Sequence, residues 1–215
     1  MADVFNGRLD LRFNICKGLT FTTTNGADYY DAKGYSFGSK RVQAQSSMGN
    51  NDTYRLMLQS SNNLTYTGSW NGHNLTATAV YEVTSSETRT MGINGTNLLT
   101  EGVGWWNVNM ASARNASNSY TKWALMSGVG RVMYNYKDRY MLTGTFRADG
   151  SSKFQKKNKW GYFPSAAVAW DVAKENFMSK QNIVQQLKLR ASFGVVGNQS
   201  IGAYTTLGML APTNY

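Results

Sequence analysis

The side chains that run hydrolytic or metal chemistry are scarce in this sequence, and their spacing leaves them little to work with. His73 is the only histidine, so a Ser-His-Asp triad or a histidine-rich metal site has almost no material. It follows the turn-forming pair Asn71-Gly72, where a solvent-exposed ring is expected. Cys16 is the single cysteine, which excludes an internal disulfide and a cysteine-based zinc site. The acidic residues number 12, and none forms a close pair of the kind a glycosidase uses. No glycine-rich loop ending in Lys-Ser/Thr is present to cradle a phosphate. The expectation is a protein that is not an enzyme and holds no metal or cofactor.

What remains is recognition chemistry. Trp105-Trp106, in an Asn/Gly/Thr-rich stretch, offers an aromatic surface on which a sugar ring stacks, or packs its loop onto the structure beneath. These two are the only substrate-contact candidates. Arg147 and Asp149 suggest an ion pair, one that stabilises a rim or one that faces a lumen, structural pairs being the commoner kind. Lys153, Lys156, Lys157 and Lys159 are the one cluster of basic residues. Such a run is ordinarily a solvated loop, and next to an outer membrane it would meet lipopolysaccharide phosphates.

Composition limits the classes. The chain has 215 residues and a net charge of +10, yet its other cations are scattered along alternating segments, so nucleic acid is not expected as a partner. Aromatic residues make up 13%, with 13 tyrosines and 6 tryptophans, while prolines number 2. That mixture suits strands and polar loops. Mean hydropathy is -0.43 and no run of about 18 apolar residues occurs, which excludes a transmembrane helix. It leaves open a membrane β-barrel, whose strands carry apolar residues only at alternate positions. Met1-Ala2-Asp3-Val4 shows no signal-peptide pattern, so a portion of a longer exported protein is expected.

The elements that must position these residues follow a period of two. Leu9, Leu11, Phe13 and Ile15 alternate with Arg8, Asp10, Arg12 and Asn14 in a first strand over Phe5 to Ile15. Lys17-Gly18 turns the chain into a second strand, Leu19 to about Tyr30. A third, about Tyr54 to Trp70, reverses at Asn71-Gly72 into a fourth, Leu75 to about Ser85. A long connection from Thr88 to Ser119 precedes a fifth strand, Tyr120 to Tyr136. Lys137-Asp138-Arg139 leads to a sixth strand that ends at Asp149, where Asp149-Gly150 reverses the chain. The seventh runs from about Trp160 to Val172, with Pro164 expected at a rim or an irregular pairing. A short helical link, Lys174 to about Gln185, reaches an eighth strand over Leu187 to Val195.

The connections are expected to alternate tight and long along the whole chain, as in outer-membrane barrels. The strands suit a tilted bilayer crossing. Trp70, Tyr136, Tyr140 and Trp170 gather near tight turns, and Trp160 and Tyr162 near a long loop, which fits two interfacial girdles. Leu142, Phe146, Val168, Trp170, Leu187, Leu189 and Phe193 are the expected lipid-facing positions. The fold class is all-β, an antiparallel transmembrane barrel wall of about eight meandering strands. Two rivals share the patterning: a self-contained small porin-like or adhesin barrel, and a soluble basic all-β binding module.

From Val129 to about Gly202 the sequence resembles the SusC/RagA family of TonB-linked outer-membrane proteins. The likeness rests on Gly130-Arg131-Val132, Tyr136 to Tyr140 and Leu142-Thr143, and on Arg147, Asp149, Gly150, Ser151, Ser152 and Phe154 in the loop that follows. Its most distinctive piece is Trp160-Gly161-Tyr162-Phe163-Pro164-Ser165. Leu187 to Gly194 and Gly197-Asn198-Gln199 complete it. Ala148 stands where a second arginine is frequent, and Gln155 where glycine is common. The resemblance implies a barrel of about twenty-two strands with an N-terminal plug. Residues 1–215 would be part of that barrel domain, with neither plug nor TonB box among them. It further implies an importer of oligosaccharides or other nutrients, working with a SusD-like surface lipoprotein and, through the plug, with TonB.

Overall fold

The computed structural model describes residues 1–179, 183–198 and 201–206. It is a meander of eight antiparallel strands in sequence order: β1 Ala2–Cys16, β2 Leu19–Gly38, β3 Ser47–Trp70, β4 His73–Leu98, β5 Ala111–Tyr136, β6 Tyr140–Ser151, β7 Trp160–Asp171 and β8 Lys188–Gly194. Among the described residues β1 and β8 are the edges of the sheet. Among the described residues no helix is long and apolar enough to cross a membrane. The chain divides into two compact units, Met1–Arg8 with Gly26–Leu58 and Ser85–Trp123, and Leu9–Asn25 with Gln59–Thr84 and Ala124–Tyr215.

In the second unit the pairing register sorts the side chains. Tyr134, Leu142, Val168 and Ala191 stand opposite one another across β5 to β8, as do Tyr136, Tyr140, Trp170 and Leu189 one rung away. The rungs that alternate with them are Met133, Thr143, Ala167 and Ser192, and Asn135, Met141, Ala169 and Arg190. Paired residues project to the same face, so one side of the sheet is apolar and the other polar. The apolar side is not covered: Leu142, Phe146, Val168, Trp170, Leu187, Leu189 and Phe193 are all between 37% and 75% exposed. The same unit carries Leu9, Leu11, Phe13 and Ile15 exposed on β1, with Phe13 stacked on Phe21 at 6.3 Å. Polar pairs occupy the remaining positions: Thr24 donates to Asp10 at 2.5 Å, and Ser61 to Glu82 at 3.1 Å.

The first unit holds a small core instead. Met48, Leu98 and Ala111 are buried, and Ser46 Oγ accepts the Leu98 amide at 2.9 Å. Here the strands outrun the expectation. The connection expected over residues 88–119 shrinks to residues 99–110, because the flanking stretches pair as β4 and β5. Thr90 and Ser119 hydroxyls meet at 2.5 Å, and Ser112 Oγ donates to the Asn97 carbonyl at 3.0 Å. With polar residues on both faces, hydrophobic alternation carries no signal there, whereas backbone pairing simply continues the register.

Two further expectations are corrected, and a third is decided between its alternatives. The link after β7 holds two 3-10 turns, Val172–Lys174 and Asn176–Met178, and spans residues 172–187, so it is not a tight turn. Its residues 180–182 lie outside the described residues. Chain reversal after β6 falls at residues 152–159, since β6 continues through Gly150 to Ser151, which is held by the Lys159 carbonyl at 3.0 Å. Of the two places expected for Pro164, it takes the irregular pairing and not the rim: it lies inside β7, opposite Phe146. Its carbonyl accepts the Val195 amide at 3.0 Å, on the side toward β8. Lacking an N–H, Pro164 returns no bond to Val195, and the β7–β8 ladder stops at Ser165–Gly194.

Candidate functional site: an aromatic and glycine cluster at the end of β6 and β7

The motif residues of the sequence converge in the second unit. A cavity of about 160 Å³ is lined by Asp149, Ser151, Phe154, Trp160, Gly161, Phe163, Gly197 and Asn198, among others, drawn from β6, the connection after it, β7 and the segment after β8. Phe163 is its centre. A Cβ on Gly197 would stand 2.2 Å from the Phe163 ring, and one on Gly161 would stand 2.7 Å from it, so the ring needs glycine on both sides. Trp160 covers Gly150 in a similar way, with ring atoms 3.0 Å from where a Cβ would be.

Around this cluster the backbone is tied down by short polar contacts. Arg147 Nε lies 2.8 Å from both oxygens of Asp149, and Arg147 also donates to the buried Ser127 hydroxyl at 3.1 Å. Arg147 thereby links β6 to β5. Ser152 Oγ accepts the Ala124 amide at 2.8 Å, and Thr206 donates to the Lys153 carbonyl at 2.8 Å. Tyr162 points the other way: it stacks on Phe146 at 6.0 Å and is 60% exposed. Pro164 and Ser165 continue β7 beyond the cavity. Gln199 lies outside the described residues.

Trp105 and Trp106 belong to the first unit, in the connection between β4 and β5. Tyr35, Trp105 and Trp106 form a ladder, with ring centroids 6.4 Å and 6.0 Å apart in succession. Trp105 is partly covered and Trp106 is 80% exposed, so the structure gives one ring to packing and leaves the other facing solvent. Asn50 donates to the Trp105 carbonyl at 3.2 Å. Glu101, which sequence reasoning missed, anchors the same region by accepting from Ser39 Oγ and the Lys40 amide, each at 2.7 Å. These bonds hold its carboxyl below the usual carboxylate range, the Lys40 amide contributing most.

Two other placements differ from the sequence reading or were absent from it. His73 is not solvent-exposed: it is half-buried, stacked on Trp70 at 5.8 Å and tilted against Tyr136 at 4.5 Å, with Nδ1 2.6 Å from the Tyr134 hydroxyl. The ends of β3 and β5 supply three aromatic neighbours that spacing along one strand does not reveal. Glu175, in the link after β7, accepts from Tyr140 Oη at 2.5 Å and Trp170 Nε1 at 3.0 Å. Those bonds, the Tyr140 one foremost, keep its carboxyl below the ordinary range.

A meander of long antiparallel strands, with the exposed apolar face and the polar face seen in the second unit, is the wall of a β-barrel. The chain belongs to the TonB-dependent receptors, in the group that includes SusC, and corresponds to a segment of their barrel. It is 33% identical to TonB-dependent receptor P3 of Formosa agariphila over 96% of its own length and 21% of the receptor's. It is 42% identical to SusC of Bacteroides thetaiotaomicron over 106 residues, covering 47% of this chain and 11% of SusC. The whole chain superposes on a quarter of a chain in the structure of the RagAB peptide transporter, with a TM-score of 0.85 at 20% identity. The open-open state of the RagAB peptide importer gives 0.81 over the same coverage. No family model matches the sequence. The chain thus spans about a fifth of the length of the curated relatives that it matches throughout. Those relatives are receptors, not enzymes.

Proposed function

We propose that residues 1–215 are entirely barrel wall in a bacterial outer-membrane transporter that imports oligosaccharides or other nutrients, energised by TonB through a plug and partnered by a SusD-like surface lipoprotein. Support for the partner and the cargo comes from SusC among the relatives and from the RagAB assembly, which is described as a peptide importer. In this reading the strands contribute a backbone ladder that needs no water across the hydrocarbon layer, an outer apolar belt and a polar lumen wall.

One observation carries the reading. On the exposed apolar face of the second unit, Tyr140 and Trp170 face each other at one end, and Trp160 and Tyr162 stand at the other. Trp160 and Trp170 are separated by about ten residues, or about 33 Å of strand. Tilted by about 40°, that length spans about 25 Å, the height of the apolar band in outer-membrane barrels. Leu142, Phe146, Val168, Trp170, Leu187, Leu189 and Phe193 then face lipid. The connections at residues 39–46, 99–110 and 152–159 would lie outside the cell, where Trp106 offers a stacking platform to cargo.

Bimane labels on single cysteines test this after Cys16→Ser removes the native thiol. Labels at Leu142→Cys and Val168→Cys are expected to be quenched by brominated lipids, and labels at Thr143→Cys and Ala167→Cys to be spared. Equal quenching at the four positions defeats the proposal.

A further inference from the structure

We propose that the loop between β6 and β7 is a binding site for phosphate monoesters, held by Lys157 and Lys159, and that the outer-leaflet glycolipid supplies the phosphate. This rests on the membrane reading above. The charge balance of the segment is one-sided. From Gly150 through Trp170 there is no carboxylate, while four lysines occur between Lys153 and Lys159. The nearest preceding acid, Asp149, is already taken by Arg147, whose Nε lies 2.8 Å from both its oxygens. Lys157 is exposed and Lys159 half-buried. Like charges within a Debye length of about 10 Å repel one another, and a dianionic phosphate relieves that repulsion.

The loop is built rather than loose. The Ser151 amide donates to the Lys159 carbonyl at 3.0 Å and the Asn158 amide to the Gln155 carbonyl at 2.9 Å. Gln155 Nε2 donates to the Thr206 carbonyl at 2.8 Å. The backbone that carries the cations is therefore held in place, and less ordering entropy is lost on binding. That place is set by Trp160. It adjoins Lys159 directly and is 51% exposed in the aromatic row that ends the apolar face. Tryptophan marks the boundary between hydrocarbon and headgroup, so the lysines that precede it stand at the depth of lipid phosphates. A solvated loop with no ligand has no need to station its cations beside that row.

The test compares the full-length receptor with its Lys157→Gln/Lys159→Gln variant in nanodiscs of phosphatidylcholine doped with lipid A or with dephosphorylated lipid A. Lipid bound per receptor is read by native mass spectrometry, and insertion is checked by protease protection. Each lysine near a charged surface contributes about fivefold, so the double variant is expected to retain lipid A about 25-fold less well. Dephosphorylated lipid A is expected to be retained weakly by both proteins. An excess of inorganic phosphate that leaves lipid A in place confirms the lipid as source. Displacement by inorganic phosphate confirms the anion chemistry and reassigns it to the free ion. Equal retention of the two lipids, or an unchanged variant, overturns the proposal while insertion upholds the membrane reading. A loop that retains a partner protein but not lipid A also overturns it. Failure of both proteins to insert overturns both readings.

Discussion

Trp170 and Glu175 are joined across the end of β7: the indole Nε1 donates to Glu175 Oε1 at 3.0 Å, and the Tyr140 hydroxyl donates to the same oxygen at 2.5 Å. One carboxylate thereby ties two aromatic residues of neighbouring strands to the link that follows, and Arg139 approaches its other oxygen at 3.4 Å. Since the folded-state pKa is lowered, this support is present above the unfolded carboxylate value of about 4.3 and is lost as pH falls through the lower folded value. Tryptophan emission of the wild type is expected to titrate below about pH 4.3, and the Glu175→Gln variant to lack that transition. Identical titrations would detach Glu175 from the aromatic row.

Glu101 makes the same argument in the other unit, where its bonds to Ser39 and the Lys40 amide close the turn at residues 39–46. Glu101→Ala is expected to speed proteolysis within that turn and raise hydrogen exchange at the Lys40 amide, with the effect vanishing in acid. Unchanged exchange would assign the closure to backbone bonds alone.

The Phe163 ring leaves no space at Gly197. Gly197→Ala forces a Cβ to within 2.2 Å of a ring atom and is expected to cost about 1–3 kcal/mol in denaturant unfolding. Adding Phe163→Leu should return part of that loss. A neutral Gly197→Ala would show that the cluster repacks freely.

Ala166 and Ala167 are adjacent on β7 and belong to opposite faces, Ala166 paired with Gly144 and Phe193, Ala167 with Thr143 and Ser192. Arginine at Ala166, near the middle of the apolar band, is expected to cost about 2–4 kcal/mol in folding into bilayers, and arginine at Ala167 close to nothing. Equal costs would contradict the assignment of faces.

The Arg147–Asp149 pair, by contrast, is partly open to solvent, with side chains 40% and 25% exposed. Arg147→Met is expected to lower stability by less than about 1 kcal/mol in a double-mutant cycle with Asp149→Asn. A larger coupling would mean that the strand end depends on it.

Period-two alternation by itself determined the strand count, the order of the meander and the two faces of β5 to β8, because a pleated strand with one face in an apolar medium must write that asymmetry into every second residue. Leu142, Phe146, Val168 and Leu189 needed no coordinates to be grouped. The motif from Arg147 to Ser165 was legible too, as a pattern of residues, though not as a place. Only the tertiary structure decided that Gly161 and Gly197 meet over Phe163, that Glu175 reaches back to Tyr140, that His73 is enclosed by Trp70, Tyr134 and Tyr136, and that Glu101 closes on Ser39. Each of these contacts joins residues from different strands or connections. Alternation is local and survives in a single strand, whereas a contact across strands depends on register, on where β4 and β5 stop pairing, and on a missing donor at Pro164, none of which hydrophobicity records.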